Sequence, residues 1–303
     1  MLVLDAGNAL FKSATPGGDA REKARAELLL EQMDALGTAA MAVGARDLTL
    51  GTAFLSRATK EAKLKLLSAN LVDARGKPLF APSTVLTVGG VKFGVVGLSP
   101  EGAVAGQKGV VGRAPVPAAL AESRRLREKE KVDVVVVLAA IPHADALSLS
   151  KEAGTAVDFI VQSHEGRGMG VAQRQDFASL IPPGERGKQL ARLELTVGGK
   201  GPFVDLTQAE RARSSLKHLE DNIQRARVRL EATEDASARR ALEESLASFE
   251  NRRRQLLLEA GGSEQGLERT HRLSYLHLGA DVPDDPALKK RVDRLEGSGS
   301  GSH

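Results

Sequence analysis

The chain has 303 residues, 42% hydrophobic and 27% charged with a formal net charge of +4, the balance of a soluble globular protein long enough to bury one or two cores. It contains no cysteine, which excludes disulfides, thiol catalysis, Cys-ligated zinc and covalently attached haem within this chain. Aromatics at 3% and no Trp require a small aliphatic core and remove the stacking platforms of nucleic-acid binders, and no apolar run approaches the roughly 18 residues that span a bilayer.

"MLVLDAG" reads as a buried strand ending in a glycine turn, so Met1 leads straight into a strand rather than a signal peptide. "DAREKARAELLLEQMDALG", Asp19 to Gly37, carries an N-cap aspartate, helical periodicity and a glycine stop. "AAMAVG" is the next strand and runs into "ARDLTLG". "KLKLLSANLVD" reads as one more strand, and "PSTVLTVGGVKFGVVGLS" as two strands turning at Gly89-Gly90. "PAALAESRRLREKEK" is helical, and "VDVVVVLAAI" has the continuous apolar character of a strand buried on both faces. "HADALSLSKEAG" predicts a helix, "VDFIVQSH" a strand and "QLARLELTVGG" a late strand. This alternation predicts an α/β domain over residues 1–205, with a sheet or pair of sheets wrapped by helices.

From Leu206 the composition turns to Arg, Glu, Ala, Leu and Gln, with no strand pattern before Gly261. Leu216, Leu219, Ile223, Ala226 and Leu230 follow spacings of three and four, and Leu242, Leu246, Phe249 and Leu256 continue a compatible seam interrupted by Arg253. A turn near "ATEDAS" makes residues 206–261 an antiparallel helical hairpin, the segment expected to hold a protein partner or a second copy. Its "NRRRQ" run has interleaved acids, the pattern of a solvated face rather than a nucleic-acid patch. Residues 262–294 hold a segment of ambiguous periodicity and then a short helix that Pro286 can start. "LEGSGSGSH", residues 295–303, reads as a vector-derived tail.

In α/β folds reactive groups gather beyond the carboxyl ends of strands. Four such loops are polar here: "DAGNALF", "GARDLTLG", "AAIPHAD" and "SHEGRG". They supply Asp5, Asn8, Asp47, His143, Asp145, His164 and Glu165 as candidate oxygen and nitrogen ligands for a divalent metal. From the residues alone, Asp5 and Asn8 also suit a turn, because their side chains bond nearby backbone amides. Arg46 and Asp47 read as a local ion pair fixing an exposed turn, and His143, after Pro142, as a histidine at a helix start.

Taken in order, these stretches resemble the calcineurin-like metallophosphoesterases, in particular their 5'-nucleotidase branch, over roughly Leu2 to Val204. "LVLDAGNALF" is similar to the family's strand ending in Gly-Asp, "AVGARDLTLG" to its Gly-Asn-His-Glu turn, and "SANLVDARGKPLFAPSTVLTVGGVKFGVVGLS" to its "SAN…GVKIGVIGL" section. "VDVVVVLAAIPHAD" resembles the strand that delivers a metal-binding His, and "VDFIVQSHEGRG" the strand ending in Gly-His-x-His. The resemblance implies a four-layer α/β sandwich with two metal ions between its sheets, an Asp bridging them, and a metal-bound hydroxide that attacks a phosphate. It also implies an extracytoplasmic, periplasmic setting in a bacterium.

The departures from that pattern fall on the ligands. The resemblance places the bridging Asp at Asn8, the metal-binding Asn at Ala45, the catalytic His at Arg46 and the strand-borne His at Ala140, with His143 three residues late. Asp47 stands where the family has Glu or Asp, Gly-His-x-His has become Ser163-His164-Glu165-Gly166, and Met1 begins at the family's second strand, without Asp-x-His. His164 alone keeps its ligand type. The expectation is therefore a catalytically degenerate domain that acts as a scaffold or interaction module and needs no cofactor, with Arg46, His164 and Arg167 able to contact an anion. In some bacterial proteins that this arrangement resembles, such a domain precedes a multihaem cytochrome segment. Two other readings stand beside it: an active metal-dependent phosphohydrolase built on Asp5, Asp47, His143 and His164, and a dimeric scaffold built by the hairpin.

Overall fold

A computed structural model describes residues 1–15, 17–163, 172–184, 187–260 and 268–297. The chain divides into two compact units, Met1–Ala191 with Tyr275–His303, and Arg192–Ser274. From the N-terminus come β1 (Val3–Asp5), α1 (Ala20–Ala35), β2 (Thr38–Ala42), α2 (Thr52–Ala58), β3 (Lys65–Leu67), β4 (Leu71–Val72), β5 (Ser83–Val88) and β6 (Val91–Leu98). There follow β7 (Gly102–Ala103), β8 (Val111–Gly112), α3 (Pro115–Arg125), β9 (Val134–Ala139), α4 (His143–Glu152), β10 (Phe159–Gln162), β11 (Gln173–Gln175) and β12 (Ala178–Ile181).

Local chemistry sets several of these bounds. The Asp19 carboxylate accepts the Glu22 N–H at 2.7 Å while the Glu22 carboxylate accepts the Asp19 N–H at 3.2 Å, a reciprocal cap that starts α1. The β5–β6 hairpin turns on Gly89 and Gly90 at φ 58° and 81°, a pair of left-handed residues that suits two tightly joined antiparallel strands. Every residue of β9 is buried, because β6 and β10 flank it in parallel and helices and a second sheet cover its faces.

Parallel β1, β2 and β3 make one sheet, and a second has the order β11-β12-β10-β9-β6-β5. Ala26 and Leu30 of α1 and Phe54 and Leu55 of α2 pack with Met41 on the first sheet. Ala119 and Leu126 after β8, with Ala146 and Leu149 of α4, pack with Val135 and Val137 on the second. Because β2 and β3 also lie against β6, the unit is layered helix, sheet, sheet, helix, the four-layer α/β sandwich expected from the sequence.

Two readings of single elements change. β1 is half-buried rather than buried, since it lies at the edge of its sheet. "KLKLLSANLVD" is two strands in different sheets, β3 and β4, because Ser68 and Asn70 turn the chain through buried side-chain hydrogen bonds.

In Arg192–Ser274 lie most of β13 (Gln189–Val197), β14 (Val204–Asp205), α5 (Leu206–Glu231), α6 (Ala236–Ala260) and most of β15 (Arg269–His277), with strand order β13-β15-β14. The segment of ambiguous periodicity is thus β15, held parallel to β14. α5 and α6 run antiparallel, packing Ala212, Leu216 and Leu219 with Leu256 and Ala260. Arg253, the interruption in the seam, reaches Glu220 at 3.3 Å, and Arg227 reaches Glu250 at 2.7 Å. In the first unit, α7 (Pro286–Glu296) starts on an Asp285 cap and continues through Leu295 and Glu296. Those two residues, read from sequence as tail, are helical, and Glu296 accepts from Arg25 at 2.7 Å.

Gly97 of β6 marks where the two sheets approach, since a Cβ there would lie 2.4 Å from the Leu67 carbonyl oxygen and 2.5 Å from Leu67 Cβ. Gly97→Ala should therefore cost about 1–3 kcal/mol through overpacking. The check is a lower urea midpoint with an unchanged denaturant slope.

Candidate functional site

The candidate site lies between the sheets, beyond the carboxyl ends of β1, β2, β9 and β10. The β1 end carries Asp5, Gly7 and Asn8. The Asp5 carboxylate accepts the Gly7 N–H at 2.7 Å, closing a turn, and burial pushes this carboxyl up while that hydrogen bond pulls it down. Gly7 sits at φ 89°, and a Cβ on it would come within 2.5 Å of the Ala42 carbonyl oxygen.

Asp47 is fully buried in the turn after β2. Its Oδ2 accepts the N–H of Asn8 at 2.7 Å and of Gly44 at 2.8 Å, and its Oδ1 accepts the Leu10 N–H at 3.1 Å. The expected Arg46–Asp47 ion pair is corrected: no such pair forms among the described residues, because Asp47 turns inward onto three backbone donors while Arg46 stays half-buried. Burial pushes the Asp47 carboxyl from its ordinary 3.8 up to about 7, with the three N–H groups opposing and the charge of Asp5 adding to the rise.

Asn8 is left-handed at φ 64°, a region Asn enters more readily than most residues. Its side-chain carbonyl accepts the Arg46 N–H at 3.0 Å, and its NH2 donates to Ser163 Oγ at 3.0 Å. Ser163, buried just after β10, donates onward to the Gly7 carbonyl at 2.8 Å. His143 opens α4, with Nδ1 2.9 Å from Gln162 Nε2 and 3.1 Å from Gln162 Oε1. His164 and Arg167, together with Glu165, lie outside the described residues.

The structure thus brings Asp5, Asn8 and Asp47 together and joins Arg46 to them through its backbone, while His143 bonds instead to Gln162. Sequence reasoning gave no role to Ser163, Asn70 or Ser99. Asn70 Nδ2 donates to the Ser99 and Arg113 carbonyls at 2.7 and 2.8 Å, Ser99 N–H returns to Asn70 Oδ1 at 2.9 Å, and Ser99 Oγ donates to the Val43 carbonyl just before Gly44. The signal for Asn70 was the polar "SAN" set, Ser68 to Asn70, between two apolar runs, where buried side chains must find partners.

A two-metal centre needs several free anionic or imidazole donors converging on one point. Among the described residues no group of three or more His, Asp or Glu is gathered that could hold a metal. Asp47 spends its oxygens on backbone donors, Asn8 brings a neutral amide bonded at both ends, and Ala45 and Ala140 offer no side-chain donor. The described residues do not fit a metal pair.

No protein-family model matches the sequence. The chain is 30% identical over 149 residues to a 5'-nucleotidase of Vibrio cholerae serotype O1, a match covering 47% of this chain and 26% of that relative. A 5'-nucleotidase precursor from Thermus thermophilus superposes with a TM-score of 0.54 at 25% identity, over 66% of this chain and 44% of the other. The Thermus thermophilus sulfate thiohydrolase SoxB shares the fold, with a TM-score of 0.57 at 22% identity over 65% of this chain and 36% of that one. In fold the first unit resembles these phosphoesterases, and in sequence it is similar to 5'-nucleotidases. The chain spans about a fifth to a quarter of the length of the curated relatives it matches.

The raised Asp47 carboxyl makes stability depend on pH. Between about pH 4 and 7 the unfolded chain has released this proton while the folded chain still holds it, so stability falls as pH rises and levels off above about 7. The decline attributable to Asp47 is on the order of a few kcal/mol. Urea midpoints measured across this range should fall less steeply in Asp47→Asn than in the wild type, although the variant is less stable overall because its amide puts a donor against a backbone N–H.

Proposed function

We propose that this chain is a catalytically degenerate 5'-nucleotidase-like domain that works as a scaffold or interaction module rather than as a phosphohydrolase. The observation that carries this reading is the occupation of the crevice by an internal hydrogen-bond network. The carboxylate and amide there are bonded to Gly44, Leu10, Arg46 and Ser163 instead of converging on a free point. The helical hairpin over residues 206–261 is the association element in this reading, and exposed Leu257 and Leu258 on α6, 45% and 82% accessible, support a contact there with a protein partner or a second copy.

A larger bacterial protein, of which this chain is one portion beside a multihaem cytochrome segment, is the setting we propose. No helix among the described residues is long and apolar enough to cross a membrane. The Thermus relative is described as a precursor, which supports an extracytoplasmic setting. The second reading, a metal-dependent phosphohydrolase acting on nucleotides or other phosphate esters, is favoured by the likeness to that 5'-nucleotidase.

Two measurements separate these readings. Elemental analysis of the purified full chain should find no stoichiometric transition metal, and assays with nucleotides and p-nitrophenyl phosphate in added Mn²⁺ or Zn²⁺ should give no turnover above metal alone. Bound metal together with turnover that disappears in His164→Ala would overturn the degenerate reading. For the association role, Leu257→Glu with Leu258→Glu should lower the sedimentation mass of the self-associated chain or abolish capture of its partner, with the fold retained by circular dichroism.

A further inference from the structure

We infer that Asn8 is a cross-strand clamp: its carboxamide, with the Ser163 hydroxyl, ties the ends of β1, β2 and β10 together across the two sheets, at the place where the resemblance expects a bridged metal pair. The inference rests on the degenerate reading of the crevice and assigns it a structural device. β1 and β2 belong to one sheet and β10 to the other, so a bond from Asn8 to Ser163 closes the crevice from wall to wall. In a metal centre, cations draw the loops of both sheets inward. Here one amide reaches Arg46 N–H at 3.0 Å and Ser163 Oγ at 3.0 Å, and Ser163 returns to the Gly7 carbonyl at 2.8 Å.

The geometry calls for an amide in particular. The Ser163 hydrogen goes to the Gly7 carbonyl and its oxygen receives one from the amide at position 8, while the Arg46 N–H finds its acceptor on the same side chain. A short fork with one donor end and one acceptor end is Asn. A carboxylate has no hydrogen for Ser163 and would set a further acid group beside Asp5 and Asp47, whose carboxyls burial already pushes up.

The surroundings are shaped to the amide. A Cβ at Gly44 would lie 2.4 Å from the Asn8 carboxamide carbon and oxygen, so that glycine leaves the space the amide fills. The Asn8 backbone N–H is meanwhile pinned by Asp47 Oδ2 at 2.7 Å. A glycine, a serine and a buried carboxylate, each just beyond a strand end, are therefore arranged around one side chain.

The test is a thermal-unfolding cycle on the full chain with Asn8→Gly, Ser163→Ala and the double variant. Glycine removes the amide without straining the left-handed backbone. Each single variant should lower Tm by roughly 3–6 °C, and the double variant should lose clearly less than the sum of the two, because both remove the same Asn8–Ser163 bond. Asn8→Asp should also lower Tm, with no recovery in added Mn²⁺, and it carries the test if Asn8→Gly does not fold. Wild-type Tm should stay within about 1 °C in EDTA and in excess Mn²⁺, as no ligand-linked gain exists for a cation that does not bind. Additive losses, or single variants with unchanged Tm, overturn the clamp and leave the degenerate reading standing. A coupled cycle accompanied by metal-dependent turnover overturns the degenerate reading and leaves the Asn8–Ser163 tie standing.

Discussion

A carboxylate removed from water must be surrounded by donors, and Asp47 gathers three backbone N–H groups from two different strand ends. That gathering is the constraint on which the crevice depends. It draws residues 8–10 against the turn at Gly44 and fixes the path on which Asn8 reaches Arg46 and Ser163. Desolvation still outweighs those three bonds, which is why the carboxyl stands at about 7 instead of being stabilised as an anion. The polar groups of the site are turned toward the protein itself.

The buried Ser68–Asn70–Ser99 network supports the same place from below. Asn70 is satisfied at both ends by the backbone at Ser99 and Arg113, and Ser99 holds the carbonyl of Val43, the residue before Gly44. A network of this kind orients a turn only when its members are paired, because a lone buried amide costs more than it contributes. The hairpin of the second unit is built differently. Its cross-helix pairs, Arg227–Glu250 and Arg253–Glu220, are largely exposed, so its stability rests on the short apolar seam and the ion pairs serve mainly to set register.

Much of the architecture was legible residue by residue. The Asp19 cap, the Gly89-Gly90 turn, the unbroken apolar run of β9 and the 3-4 spacing of α5 are local signals with local causes, and each produced the expected element. The "SAN" stretch was not legible in the same way, since Ser68 and Asn70 divert the chain between sheets through partners about thirty or more residues away. The Arg46–Asp47 pair misled for a related reason. Adjacent opposite charges suggest a salt bridge, whereas the N–H donors that claimed Asp47 include two from another strand end, 37 and 39 residues distant in sequence.

By itself, the sequence determined the order of strands and helices, the absence of cysteine and the likeness to the metallophosphoesterases, because each follows from residue identity and short-range periodicity. Only the tertiary structure decided that Asp47 faces inward, that His143 turns to Gln162, and that Asn8 meets Ser163 across the sheets. Those outcomes depend on which backbone donors the fold brings within about 3 Å of a side chain, a distance set by the packing of two sheets rather than by neighbours along the chain.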